Sequence, residues 1–197
     1  MPGRVWKQLY EIAVDRQGFV TTQDATDQGI SHRRLAVMAE RGLLERTSFG
    51  VYRMPEIPVN QFTHLKQATL WPRAPAVISH RSALDLYDIC DVNPAWVDVT
   101  VPAHYRERRP VPNAYRLHHR TLLAGDASVV EDVPVVTLYR ALRDCAEIPI
   151  GDELLDQALQ AAGEQNLITA TQRLEIEGVR ALIQRAATEL WQREQQS

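Results

Sequence analysis

The alternation of apolar and polar residues predicts three short helices and a hairpin at the start of the chain. Apolar residues recur at helical spacing over residues 4 to 16, at Trp6, Leu9, Tyr10, Ala13 and Val14. Thr21 or Thr22 caps a second helix, and Ser31 caps a third. Gly29 makes the turn between them, and Gly42 ends the third helix. Two short strands joined by residues 47 to 50 complete the segment.

The third predicted helix has an apolar face and a basic face. On a helical wheel Leu35 and Met38 face inward, whereas Arg33 and Val37 face outward. The order of helix, turn, helix and hairpin is typical of a winged helix-turn-helix, whose recognition helix enters the major groove of DNA. An arginine placed there can hold guanine O6 and N7 together, and a valine can lie against a thymine methyl.

This helix and the hairpin together supply the predicted contacts to double-stranded DNA. The hairpin side chains are suited to donate hydrogen bonds to phosphates or to the minor groove. The predicted DNA-binding residues are Thr22, Ser31, His32, Arg33, Arg34, Val37, Arg41, Arg46, Ser48 and Arg53. The alternative is a small helical domain whose charged face contacts only solvent.

The rest of the chain mixes helices and strands. Pro55 to Pro58 interrupts regular structure and separates a winged domain, residues 1–56, from a C-terminal domain, residues 60–197. We predict helices over residues 61–71, 138–146, 152–162 and 171–195, and strands over residues 96–101, 114–122, 128–131 and 133–136. Ser79 and Thr137 are the expected helix caps. The predicted fold class is α+β, with a mixed C-terminal domain that ends in helices.

The last predicted helix carries an apolar stripe. Its members are Leu174, Val179, Leu182, Ile183, Ala186, Leu190 and Trp191. We expect the C-terminal domain itself to bury this stripe, because the preceding helices need a surface to pack against. This expectation predicts a monomer in solution.

Composition and charge narrow the possible functions. The net charge is −3, but the excess of acid lies in residues 126–197, which hold six basic and thirteen acidic residues. The remainder is mildly basic, which suits contact with nucleic acid. We expect neither a membrane span nor a signal peptide. Cys90 and Cys145 are isolated, as expected of buried thiols in a reducing compartment, so we expect a cytoplasmic protein.

Several short motifs resemble those of a known family. They are residues 18–25, 31–35, 42–44 and 50–53 in the first part, and residues 78–84, 99–102 and 133–142 in the second. Over about residues 5 to 160 the chain resembles the AbiEi antitoxins of type IV toxin–antitoxin systems. The resemblance implies a transcriptional repressor of its own operon. It also implies a C-terminal domain that opposes a cognate nucleotidyltransferase-like toxin, with or without direct contact.

Residues suited to catalysis do not form a convincing set. A nuclease-like site needs carboxylates and usually a lysine around a divalent metal, yet no lysine follows Lys66. We interpret Asp152, Glu153 and Asp156 as a solvated helix face. Ser79, His80 and Ser82 lack a glycine-flanked elbow, and we interpret them as helix-capping residues. We therefore expect no enzymatic activity, no cofactor and no metal.

The most basic run of the chain lies in the C-terminal half. It contains three histidines, His104, His118 and His119, and a single acid, Glu107. Its arginines form a possible second nucleic-acid surface, Arg106, Arg108, Arg109, Arg116 and Arg120. The alternative is a charged loop without a partner. Metal binding by the two adjacent histidines is not expected, since adjacent strand residues point to opposite faces.

Two hypotheses for function follow from these patterns. The first is a sequence-specific DNA-binding repressor that acts as an antitoxin. It places two copies on an inverted repeat whose half-sites are about one helical turn or a small multiple of it apart, roughly 34 to 36 Å per turn. The second is a protein-interaction module in which the winged helix is a scaffold and the C-terminal domain binds a toxin or another partner.

Overall fold

Two separate hydrophobic clusters organise the molecule. The computed structural model describes residues 3–148 and 152–195. One cluster is built from residues between Leu9 and Met54, with Ile57 packed against it, and the other from residues between Leu65 and Ile176. Each cluster gathers the apolar faces of its own helices and strands. The polypeptide between Met54 and Leu65 therefore joins two units, each with its own core.

The N-terminal unit contains three helices and a three-stranded antiparallel sheet. Its elements are α1 (Arg4–Val14), β1 (Phe19–Thr21), α2 (Thr22–Asp27), α3 (His32–Glu40), β2 (Glu45–Ser48) and β3 (Val51–Arg53). The strand order is β1-β3-β2. The predicted helices and hairpin are confirmed, whereas β1 was not predicted. A strand of three residues is too short to show the period-two pattern on which strand prediction rests.

The caps of the two inner helices follow the residues at their starts. Thr21, and not Thr22, is the N-cap of α2, and its side chain exchanges hydrogen bonds with Asp24 in a capping box. Ser31 caps α3 by accepting from the amide of Arg34 at 3.3 Å, as predicted. Gly42 follows α3 with φ +72°, a conformation that costs a glycine little.

The C-terminal unit is a mixed five-stranded sheet covered by helices. Its elements are α4 (Thr63–Leu70), β4 (Val77–Ile78), α5 (His80–Leu86), β5 (Val97–Val101), β6 (Tyr115–His119), β7 (Ala127–Val130), β8 (Val133–Val136), α6 (Leu138–Ala146), α7 (Asp152–Glu164) and α8 (Ala170–Gln195). The strand order is β6-β5-β4-β8-β7, with β5–β6 and β4–β8 parallel. The predicted α+β class is confirmed.

The parallel pairing of β5 with β6 dictates the loop between them. Two parallel neighbours need a crossover connection of about a dozen residues or more, because the chain must return to the same end of the sheet. Residues 102–114 make this crossover without a helix. Three arginines of the basic run, Arg106, Arg108 and Arg109, lie on this loop, and Arg116 lies on β6.

The outer half of α8 is not buried, contrary to the expectation from its apolar stripe. Ile176 is fully buried, but Leu182, Ile183, Leu190 and Trp191 are exposed. The helix packs on α6 and α7 through its first turns and then extends beyond them. Ile176 was not part of the predicted stripe, whose first member, Leu174, is exposed, and of the stripe only Val179 packs against the C-terminal core.

Candidate nucleic-acid interface

The recognition helix presents its basic residues at its N-terminal end. Leu35 and Met38 are buried in the N-terminal core, and this packing turns His32, Arg33 and Arg34 toward solvent. The imidazole Nε2 of His32 lies 3.0 Å from Thr26 Oγ1, which joins the start of α3 to α2. The exposed end of α3 therefore has a fixed position on the rest of the unit.

The arginines of this face keep their charge available for a ligand. Within residues 3–148 and 152–195, no ion pair joins Arg33, Arg34 or Arg41 to a carboxylate. All three are exposed. Val37 is only half buried, so part of its side chain is accessible on the same helix. An unpaired basic face of this kind attracts phosphate and can contact base edges.

The wing is the hairpin of β2 and β3, and its tip is the turn between the two strands. The register between the two strands shifts between Arg46 and Ser48, and Phe49 and Gly50 form the turn itself. The Phe49 side chain is 55% exposed, and the guanidinium carbon of Arg46 lies 5.6 Å from the centre of its ring. The tip of the wing is therefore an exposed aromatic ring beside a cation.

Thr22 contacts the turn of the wing. Its amide donates to the carbonyl of Gly50 at 2.8 Å, and its side chain lies directly against that glycine. This placement gives Thr22 a structural role at the base of the wing. The sequence had placed it among the DNA contacts.

Two of the predicted hairpin contacts point into the protein. Arg53 pairs with Glu45 at 3.2 Å and donates to the carbonyl of Ile57 at 2.5 Å, and its side chain is only 11% exposed. The hydroxyl of Ser48 is buried, with no hydrogen-bond partner in the described part of the chain. The expectation that these two side chains donate from the surface does not fit their burial, so we leave both out of the interface.

The same segment matches a known family. Residues 7–55 match the family described as transcriptional regulator, AbiEi antitoxin. The N-terminal unit is therefore similar to the corresponding part of the AbiEi antitoxin regulators. The match starts in α1 and ends just after β3, so it spans both the recognition helix and the wing. The resemblance expected from the sequence is thereby confirmed for the winged unit.

A comparison with solved structures covers most of the chain. The RV2827C protein from Mycobacterium tuberculosis has a crystal structure that aligns over 91% of this chain and 83% of its own, with 14% identity and a TM-score of 0.48. None of the curated proteins matches the chain. The AbiEi match accordingly rests on the winged unit, and the C-terminal unit has to be interpreted from its own geometry.

The arginines of the predicted second surface divide into two groups. Arg106 and Arg108 are exposed on the crossover loop, and Arg109 lies beside them over the Trp71 ring at 4.5 Å. Arg116 stacks on Trp96, with 3.6 Å between its guanidinium carbon and the ring centre.

Arg120 takes part in an internal ion-pair network. Its Nη1 lies 2.5 Å from Glu147 and 3.6 Å from the fully buried Asp144. The carboxylate of Asp144 also accepts from Arg140 at 2.9 Å. Burial nevertheless raises the pKa of Asp144, against the effect of the two arginines. Arg120 therefore balances buried charge at α6, and the predicted surface keeps the arginines of the crossover loop and the exposed Arg116 on β6.

A buried polar cluster explains the serines that resembled helix caps. Ser79 occupies the N-cap position of α5, but its hydroxyl accepts from Thr100 at 2.8 Å and lies 2.9 Å from His80 Nδ1. Ser82 accepts from the amide of Asp98 at 2.9 Å. Ser79 is therefore the N-cap of α5 by position but makes no side-chain capping bond, and the hydroxyls of Ser79 and Ser82 instead join this helix to strand β5.

His80 lies at the centre of this cluster. Its ring is fully buried and stacks on His118 at 3.6 Å, and His118 donates to Asp98 at 2.8 Å. Burial, reinforced by the nearby His118, Arg120, Arg140 and Arg81, lowers the pKa of His80 to about 2. A neutral imidazole enclosed in this way has no access to a substrate, so the cluster serves the fold.

The adjacent histidines of β6 point in opposite directions, as predicted. His118 faces Asp98 under the helices, whereas His119 pairs with Glu107 of the crossover loop at 2.7 Å. Among the described residues no cluster of three or more histidines, cysteines or acids has the arrangement of a metal site. The described helices include none with the length and apolarity needed to cross a bilayer.

Proposed function

We propose that this protein is a sequence-specific DNA-binding repressor that acts as the antitoxin of a type IV toxin–antitoxin system and regulates its own operon in the cytoplasm. The observation that carries the proposal is the unpaired basic end of α3 beside the wing, within the segment that matches the AbiEi regulators. The charge of this face attracts an anionic partner, and the fold presents it in the order used by winged DNA-binding proteins.

Each element of the face has a different role in this proposal. Arg33 and Arg34 stand at the start of α3, where a recognition helix meets base edges, and Val37 lies one turn further along the same helix. Arg41 follows the last residue of α3, and Arg46 lies on β2 of the wing. Both are proposed to contact phosphates of the DNA backbone. The base contacts provide specificity, and the phosphate contacts provide register and affinity.

The assembly on DNA follows from the small footprint of a single winged helix. One recognition helix contacts only a few base pairs, so we propose two copies on an inverted repeat, with half-sites about one turn or a small multiple of it apart, roughly 34 to 36 Å per turn. The expectation of a monomer before binding rested on burial of the α8 stripe. Since the outer half of that stripe is exposed, we withdraw this basis for a monomer.

The C-terminal unit is the proposed seat of antitoxin action. It opposes a nucleotidyltransferase-like toxin as a non-enzymatic, cofactor-free domain, with or without direct contact with the toxin. Its buried Ser79, Ser82 and His80, together with the partly buried His118, hold α5 on the sheet, and the two serine hydroxyls are not exposed.

A protein-interaction module is the second candidate, and one observation favours it. The outer half of α8 exposes Leu182, Ile183, Leu190 and Trp191 in the acidic last third of the chain. Contiguous exposed apolar residues of this kind are typical of surfaces that bind another protein. The two candidates differ in what the basic face of α3 does, so they are separated by an experiment on DNA.

The experiment measures binding of the full-length protein to variants of the promoter of its own gene. Arg33→Ala should cost about 1 to 3 kcal/mol on the preferred sequence and relax the preference at one base position. Arg41→Ala should weaken all sequences alike. Arg143→Ala, an exposed arginine on α6, is the matched control and should change nothing. Equal losses on every sequence for Arg33→Ala would remove it from base recognition, and no binding at all would favour the interaction module.

A further inference from the structure

A cleft separates the tip of the wing from the crossover loop of the C-terminal unit. Its volume is about 800 Å³, and its lining residues come from both units: Phe49, Pro72, Arg73, His104, Tyr105, Arg106, Arg108 and Arg109. Four of these are arginines, and none is an acid. The nearby Glu107 is paired with His119 at 2.7 Å. The cleft is therefore a concentrated positive region that begins at the wing.

The ring of Phe49 joins the wing to the C-terminal unit. The guanidinium carbon of Arg73, which follows α4, lies 4.7 Å from the centre of the Phe49 ring. Arg46 of the wing approaches the same ring at 5.6 Å. These cation–π contacts place charges of both units beside one another. The cleft consequently continues the basic surface of the wing onto the C-terminal unit.

The arginines of the cleft are held in place without using their charge. Arg109 lies over the Trp71 ring and donates to the carbonyl of Trp71, and Arg106 donates to the carbonyls of Ala103 and Tyr105 at 3.1 and 2.7 Å. Carbonyl groups orient a guanidinium but do not neutralise it. In the described part of the chain no carboxylate pairs with Arg73, Arg106, Arg108 or Arg109. Like charges gathered in this way repel one another until an anion binds.

We propose that this cleft binds the phosphate backbone of duplex DNA next to the groove that the wing occupies, so that one operator contacts both units. The inference rests on the proposed function. A single strand binds by stacking its bases on exposed aromatic rings. Here Phe49 is already beside two guanidinium groups, and the Tyr105 ring stacks on His119 at 6.3 Å. The available groups are therefore cations, which suit phosphates rather than bases.

The test compares two duplexes from the promoter of the gene. One contains a half-site alone, and the other extends it by about one helical turn, roughly 10 base pairs, on each side. The variant is Arg106→Ala with Arg108→Ala, both exposed on the crossover loop. Its matched control is Arg143→Ala with Arg185→Ala, which removes the same charge from the groove between α6 and α8, where no residue is shared with the cleft.

The expected result is a change in salt dependence on the long duplex only. Loss of two phosphate contacts should reduce the slope of log affinity against log salt by about 1.8. Between 50 and 200 mM salt, the wild-type affinity should then fall roughly tenfold further than the affinity of the double variant. The short duplex and the control variant should show no change, and equal thermal midpoints should establish that both double variants fold.

Three outcomes would overturn the inference or the proposal on which it rests. If the double variant kept the wild-type slope of log affinity against log salt on the long duplex, the proposed binding of DNA in the cleft would be wrong. The proposed function would stand, provided that the short duplex still binds in an Arg33-dependent way. Competition by a single-stranded oligonucleotide as effective as that by the duplex would replace phosphate binding with base binding. Failure of the wild-type protein to distinguish any promoter sequence would instead overturn the proposed function.

Discussion

The amide of Thr22 donates a hydrogen bond of 2.8 Å to the carbonyl of Gly50, and this bond joins the start of α2 to the tip of the wing. The approach is close because Gly50 has no side chain. A Cβ atom added to it would lie 2.9 Å from Thr22 Oγ1, and its φ of +76° is a conformation that other residues rarely adopt. The position of the wing therefore depends on this glycine.

Gly50→Ala should displace the wing and weaken DNA binding on all sequences alike. We also expect a loss of about 1 to 2 kcal/mol in the free energy of unfolding from the positive φ alone, with a further loss from the contact with Thr22. Gly29→Ala is the control, because Gly29 has a similar φ of +69° but no atom within 4 Å of the added Cβ. Urea unfolding and gel shifts would measure both effects. Equal losses of DNA affinity in the two variants would contradict a special role for the Gly50 contact.

The winged unit was largely predictable because its signals are local. Ser31 caps the start of α3, and Gly42 follows its end. Both signals depend on contacts within a few residues, so they are visible in the sequence. The roles of Thr22 and Arg53 were not predictable, because each depends on a partner that only the folded chain brings close. The carbonyl of Gly50 accepts from the amide of Thr22, and the carbonyl of Ile57 accepts from the guanidinium of Arg53.

Arg53→Ala should destabilise the N-terminal unit by about 1 to 3 kcal/mol, since it leaves the carbonyl of Ile57 without its donor. The ion pair with the exposed Glu45 should add little. Thermal unfolding of the full-length variant measures the loss, and Arg41→Ala, an exposed arginine of the same unit, should leave stability unchanged. A normal thermal midpoint combined with uniformly weaker DNA binding would return Arg53 to the phosphate contacts predicted from the sequence.

The basic run of the C-terminal half shows why charge counting alone misplaces a surface. Arg116 and Arg120 belong to the same run in sequence, but one stacks on Trp96 and the other pairs with Glu147. Conversely, Phe49 and Arg73 belong to the cleft although they lie far from the run in sequence. The parallel pairing of β5 and β6 decides which arginines share a loop, and no local pattern reveals that pairing.

The buried His80 should make stability fall as pH decreases from neutrality. Its folded pKa of about 2 lies below the ordinary value of 6.5, so the unfolded chain binds one more proton between these values. The contribution of His80 to the free energy of unfolding is fully present above pH 6.5. It is lost below that pH, by about 1.4 kcal/mol per pH unit. The slope should be visible in the free energy of unfolding measured between pH 7 and 5.

His80→Asn should remove this slope, because asparagine is uncharged and tolerates the φ of +50° at this position. Between pH 7 and 5 the wild-type protein should lose about 2 kcal/mol more than the variant. Effects of other groups in the cluster, including the raised pKa of Asp144, largely cancel in this difference. His104→Asn, at an exposed position, should keep the wild-type slope. If the free energy of unfolding changed with pH in the same way for the wild type and His80→Asn, the buried ring would not be the origin of the pH dependence.

The last prediction concerns α8, which Ile176 anchors in the C-terminal core while most of its predicted apolar stripe is exposed. Ile176 is fully buried in the C-terminal core, so Ile176→Ala should cost about 2 to 5 kcal/mol of unfolding free energy. Leu190 is 61% exposed, so Leu190→Ala should change stability by no more than about 0.5 kcal/mol. Urea unfolding at several protein concentrations distinguishes the alternatives. A large loss for Leu190→Ala at every concentration would mean that the domain covers the whole stripe, as the sequence suggested, whereas a loss that depends on concentration would mean that a second copy covers it.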